Sequence, residues 1–254
     1  MVRKKTGFIV LLALVILVQG GYTPANSSSK RAQAQAMFEK AVKLLNRTGG
    51  IASFDTLPGT AHFIGPSPIP DDEIGKTLDK VISELNEVIE LDTKIKGAYY
   101  FLGIAHLRKM EAEQAMAAFY KALDIEPDRE MTYILLCQLL WNANRYDQAL
   151  NISSKFAVQF PQSQVLGATL AGQTYFLMGD FHESLNNGLK ILDLDSSRLE
   201  GRILAATSYY CLGNFQSAAE QFKILEADPR TSKDVAQLKK HLEERCGNAK
   251  RRGE

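Results

Sequence analysis

An excess of charge of one sign, tryptophan, cysteine and histidine are all scarce in this chain, and each scarcity removes a class of function. Its 254 residues carry 30 Lys and Arg against 29 Asp and Glu. A chain with no basic surplus is poorly suited to neutralising phosphates, so nucleic acid is excluded as a partner. Three cysteines, Cys137, Cys211 and Cys246, are too few for a disulfide framework, and their odd number leaves at least one unpaired within the chain. The four histidines, at positions 62, 106, 182 and 241, are scattered. HExxH, GxSxG, a glycine-rich phosphate loop and paired CxxC are all missing, so the sequence calls for no metal, no cofactor and no enzymatic activity. His182 has Glu183 beside it but lacks the second histidine of a metal site. His62 has only Asp55 near it in sequence, which leaves a site under the 47–71 segment as the weak catalytic alternative.

Long hydrophobic runs are also rare. The one present spans Phe8 to Val18, after the basic MVRKK start and before Gln19, Gly20 and Gly21. Charge, apolar stretch and small residues in that order predict a secretory signal over 1–20. An uncleaved membrane anchor is the other reading, since extension from Gly7 to Tyr22 approaches the roughly 20 residues a spanning helix needs. Removing Arg3, Lys4 and Lys5 with the segment leaves 27 basic side chains against 29 acidic ones. Export to a bacterial periplasm or cell envelope, with inner-membrane anchoring as a variant, is the expected localisation. Residues 21–29 then read as a flexible linker, and the basic stretch 247–254 as a disordered tail.

What the chain does have is a period. Leu102, Gly103, Ala115, Phe119, Ala122 and Pro127 are followed about 34 positions later by Leu136, Cys137, Ala149, Ser153, Phe156 and Pro161. After a one-residue slip, Gly172, Tyr175, Gly179, Phe181 and Ser184 are echoed by Ala206, Tyr209, Gly213, Phe215 and Ala218. The pattern resembles the tetratricopeptide repeat, a helix-turn-helix unit of about 34 residues. That resemblance implies an all-α, right-handed solenoid with repeats at 96–129, 130–163, 165–198 and 199–230. Small residues at Gly103, Cys137, Gly172 and Ala206 then lie where first helices meet second helices, opposite Ala115, Ala149, Ser184 and Ala218. A bulky side chain there would force the axes beyond the usual 8–10 Å or so. Pro127 and Pro161 close their units because proline cannot donate the next helical hydrogen bond.

The ends extend the array. Ile74, Leu78, Val81, Leu85 and Val88 have helical spacing and occupy the register of a second helix. Ala34, Phe38 and Ala41 show spacings that also resemble a second helix, so 30–95 reads as a degenerate helical pair interrupted by a long loop at 47–71. Val235, Leu238 and Leu242 on one face predict a solvating cap over 231–246. Cys137 reads as a small buried hydrophobe. Cys211 and Cys246 are one helix-turn-helix step apart, a staple is not needed by an array of this size, and their pairing stays open.

In the family that this chain resembles, first helices line a concave groove through recurrent positions. Carried over, these are Tyr100, Ile104 and Leu107 in the first repeat and Ile134, Gln138 and Trp141 in the second. Thr169, Gln173 and Phe176 follow in the third, then Ile203, Thr207 and Tyr210 in the fourth. Such a groove is apolar and aromatic, and the resemblance implies a non-catalytic scaffold that holds a peptide or helix of another protein, organising a complex in the cell envelope. The alternative is a chaperone-like accessory subunit delivering exported polypeptides to an assembly or secretion machine. Self-association through the groove is a further expectation. The lysine, arginine and asparagine clamp with which some relatives grip a terminal carboxylate survives only as Arg108 and Asn142, so a carboxylate-ended ligand is disfavoured.

Overall fold

The computed structural model describes residues 24–48 and 71–251, and every regular element among them is an α-helix. In chain order they are α1 (Pro24–Arg47), α2 (Asp71–Leu91), α3 (Ala98–Arg108), α4 (Ala112–Ile125), α5 (Glu130–Asn142) and α6 (Tyr146–Gln159). α7 (Gln164–Met178), α8 (Phe181–Leu194), α9 (Leu199–Cys211), α10 (Phe215–Ala227) and α11 (Ser232–Arg251) complete the array. Each helix packs on the next in sequence, and the first helices also touch one another across repeats, α5 on α7 and α7 on α9. That nearest-neighbour pattern is the organisation of an α-solenoid.

The two kinds of helix differ because their surroundings differ. α5, α7 and α9 are apolar nearly all round, as helices flanked on most sides must be, whereas α4, α6 and α8 each bury one stripe and solvate the other. Phe119 and Phe156 are fully buried anchors of the first core cluster, which runs from α1 to α7. Close approach is achieved where the small residues lie. A Cβ at Gly103 would stand 2.6 Å from the Phe119 ring, and the Cys137 thiol donates to the Ala149 carbonyl at 3.8 Å. Between the third and fourth repeats the Ser208 hydroxyl donates to the Ser184 hydroxyl at 2.9 Å.

The structure differs from the sequence reading at both ends. α1 packs on both α2 and α3, the placement of a first helix. Phe38 meets Phe101 with ring centroids 5.7 Å apart, and the Arg108 guanidinium donates to the Leu45 carbonyl at 2.6 Å and to the Thr48 hydroxyl. The resemblance of 30–46 to a second helix is thus corrected: Ala34 and Ala41 make its close contacts with α2 and α3, but from the first-helix position. Helix also begins at Pro24, inside the expected linker, and α11 continues through Arg251, inside the expected disordered tail. Cys211 and Cys246 are bonded to each other, with Cα atoms 5.3 Å apart, so the cap is covalently tied to the array. Cys137 is free and buried. The signal segment 1–20 and the 49–70 part of the long loop, with Asp55 and His62, lie outside the described residues. Among the described residues no helix is long and apolar enough to cross a membrane.

Candidate functional site

α5 and α7 stand side by side and hold a cleft of about 600 Å³ between them, walled by the turn that joins α6 to α7. Ile134, Gln138 and Trp141 face it from α5, and Thr169, Leu170 and Gln173 from α7. These positions recur at spacings of three and four, which place them on one side of each helix. Val165 and Leu166 extend the apolar wall, and Leu194, Arg198 and Glu200 form the far rim.

The polar groups around the cleft are mostly engaged within the chain. Trp141 is only 7 % exposed, and its indole N–H donates to the Thr174 hydroxyl at 2.8 Å, which in turn donates to the Leu170 carbonyl at 2.7 Å. One edge of the ring therefore ties the second repeat to the third while the remainder faces the cleft. The Thr169 hydroxyl donates to the Val165 carbonyl at 2.8 Å, as a threonine inside a helix commonly does. At the rim, Ser163 donates to Glu130 at 2.6 Å and Arg198 pairs with Asp195 at 3.0 Å. The result is an apolar floor with the amides of Gln138 and Gln173 beside it and a border that carries Glu200 and the Arg198–Asp195 pair. Such a surface suits an apolar side chain flanked by main-chain amides.

Five of the twelve positions named from the sequence share this cleft: Ile134, Gln138, Trp141, Thr169 and Gln173. The other seven lie elsewhere. Tyr100 and Ile104 are core side chains. The Tyr100 ring packs against Phe101 and Phe119, with the Arg129 guanidinium 4.6 Å above it, and burial pushes its hydroxyl pKa up against the opposing pull of that cation. Leu107 is half-buried. Phe176 is packed on Phe181, and Tyr210, half-buried, meets Phe215 edge-on. Ile203 and Thr207 are buried, the Thr207 hydroxyl donating to the Ile203 carbonyl at 2.8 Å. Arg108 of the carboxylate-clamp fragment is committed to the carbonyl end of α1, and burial lowers its pKa. That is a helix-terminus role, in which a cation satisfies an orphan carbonyl.

Sequence reasoning did not name Gln164, Val165 and Leu166. The signal was the one-residue slip between the second and third repeats. α7 absorbs the extra residue, with 15 residues against 13 in α5 and in α9, and its first turn supplies these three to the cleft wall. His106 is held by Glu111, its Nδ1 2.6 Å from a carboxylate oxygen, whereas His182 and His241 are exposed. No group of three or more His, Cys, Asp or Glu among the described residues could hold a metal ion.

No protein-family profile matches the chain, and no curated protein matches it. Solved structures do. A tetratricopeptide repeat protein from Parabacteroides merdae superposes with a TM-score of 0.59 at 17% identity, over 71% of this chain and 72% of that one. YrrB, described as a TPR protein with an unusual peptide-binding site, gives 0.54 at 18% identity, over 65% of this chain and 84% of that one. MamA from Desulfovibrio magneticus gives 0.51 at 18% identity, over 67% of this chain and 93% of that one. Likeness at such identities speaks to architecture alone, and on architecture these structures and the helix-by-helix packing agree: the chain has the fold of the tetratricopeptide-repeat proteins.

Proposed function

We propose that this protein is a non-catalytic interaction scaffold that holds a peptide or helix of another protein in the cleft between α5 and α7. The observation that carries the reading is the cleft itself: an apolar floor of Ile134, Trp141 and Leu170, with Gln138 and Gln173 beside it, on the first-helix face. Apolar side chains would supply affinity, and glutamine amides would orient a main chain without requiring charge. YrrB, with the same fold, is described as having a peptide-binding site, which supports protein over small molecule as the ligand class. Half-buried Leu107 and Tyr210 extend the proposed concave surface beyond the cleft, with Phe176, Ile203, Thr207, Tyr100 and Ile104 buried behind it.

The proposed place of work is the cell envelope. The apolar run Phe8 to Val18 after a basic start supports export. So does the Cys211–Cys246 disulfide, because such bonds persist in oxidising compartments and are rare in reducing ones.

Photocrosslinking in cells from a probe at Gln138, with exposed Lys223 on α10 as control, tests the reading. One dominant product with another protein supports it. A product joining two copies of this chain replaces the partner with self-association. Labelling no greater than at Lys223 rejects the cleft as the binding surface.

A further inference from the structure

We propose that the Cys211–Cys246 disulfide is a redox-operated latch holding α11 on the end of the array, and that a dithiol reductant releases the helix and bares the apolar seat beneath it. The inference does not depend on what the cleft between α5 and α7 holds.

Over its described side chains α11 is held lightly compared with the other helices. Among these the buried face consists of Val235, Leu242 and Cys246, with Leu238 half-buried, while Lys233, Asp234, Gln237, Lys240, His241 and Glu243 are exposed. The start of the helix has further support: the Thr231 hydroxyl donates to the Leu225 carbonyl at 2.5 Å, and Lys239 pairs with Glu226 at 2.6 Å while lying over the Phe222 ring. Past Leu242 come exposed Glu243 and Glu244, and then buried Cys246, bonded to the last residue of α9. A helix of this composition has little intrinsic reason to stay docked without its covalent tie. The seat that it covers is apolar, built by Ile203, Phe222 and Leu225 with Tyr209 and Tyr210.

The bond is also reachable. Cys211 is half-buried, whereas Cys246 is nearly closed off. A thiolate of the dithiol attacks the Cys211 sulfur, forming a mixed disulfide and expelling the Cys246 thiolate. The second thiol of the reagent then attacks its own bonded sulfur and expels the Cys211 thiolate. Two electrons pass from the dithiol, which leaves as a disulfide, and its two protons pass to the two cysteines. Cys137 does not compete, since it is buried in the second repeat and burial pushes its thiol pKa up.

Hydrogen exchange on the full chain, before and after reduction with dithiothreitol, tests the proposal. Reduction is expected to lower protection at least about tenfold over residues 235–246 while α3 to α6 keep theirs. The Cys211→Ser/Cys246→Ser chain should reproduce that profile without reductant. Unchanged protection in α11 would show that the helix holds itself and would overturn the latch. Loss spread evenly over the whole array would also overturn it, because the bond would then be a staple of the entire fold.

Discussion

Trp141 carries two roles at once, and the structure separates them. Its ring faces the cleft, while its N–H is committed to Thr174, a side chain with no exposure at all. Replacing Thr174→Val keeps the shape and leaves a buried indole donor unpaired, a cost of about 1–3 kcal/mol. Urea unfolding followed by the single tryptophan's fluorescence measures that cost; an unchanged midpoint would mean that the indole finds another acceptor. A second residue-scale feature recurs at one point of every repeat. Met110, Asn144, Gly179 and Gly213 close the four turns between first and second helices, all with positive φ, of 61°, 56°, 88° and 82°. Glycine and asparagine adopt that region readily and methionine does not, at a cost of roughly 1–2 kcal/mol. Met110 is 91 % exposed, so its side chain returns little for that strain. Met110→Gly should therefore stabilise the protein by about 1 kcal/mol in the same urea experiment, and a fall in the midpoint would refute the reading. The repeat positions of these turns were legible from Gly179 and Gly213. Bonds such as Trp141 to Thr174 were not, because they join different repeats and no local spacing encodes them.

At the scale of helices, α8 and α9 cross with backbone close to backbone. A Cβ at Gly188 would lie 2.9 Å from the Ala205 amide nitrogen, and one at Gly201 would lie 3.0 Å from the Gly188 carbonyl. Backbone cannot swing aside as a side chain can, so Gly188→Ala is expected to cost about 1–3 kcal/mol through overpacking, although alanine is the better helix former by about 1 kcal/mol. Gly75 in α2 is the control, with nothing within 4 Å of its would-be Cβ. There Gly75→Ala should stabilise by about 0.5–1 kcal/mol, and opposite signs for the two changes in thermal or urea melts check the account. The turn from α10 to α11 carries a different prediction. Arg230 bonds the Asp228 carboxylate through side chain and backbone, and holds its pKa down at about 2. A depressed folded-state pKa means that this contribution to stability is present above the ordinary aspartate range and is lost as pH falls toward 2. A carbon-detected NMR titration should find the Asp228 midpoint near 2, and Arg230→Ala should return it toward the ordinary value. The helical character of α3 to α10 was readable because the small-residue register and the closing prolines follow the repeat. The role of α1 was not: Ala34, Phe38 and Ala41 have the spacing of either helix of a repeat, and only packing on α3 distinguishes the two.

Over the whole molecule, the period of about 34 residues carries the architecture, since a unit that cannot bury its own apolar face must stack. What the period does not carry is which first-helix positions remain open. Tyr100 and Phe176 follow the same register as groove residues, yet ring packing with Phe119 and Phe181 draws them into the core. The cleft opens between α5 and α7, where the longer α7 brings Gln164, Val165 and Leu166 to its wall. The disulfide was equally hidden, since it depends on how α11 lies across the end of the array. Because the cleft floor is apolar and Arg198 at the rim is paired with Asp195, partner binding in the cleft should depend only weakly on salt. The cleft between α5 and α7 is the proposed binding surface. Its most direct test is calorimetric titration of the full chain with the partner captured from Gln138, comparing the native protein with Ile134→Arg and with Lys223→Glu. At least about a tenfold loss of affinity, or ~1.4 kcal/mol, is expected for Ile134→Arg, and none for Lys223→Glu. Equal affinity in all three would contradict it.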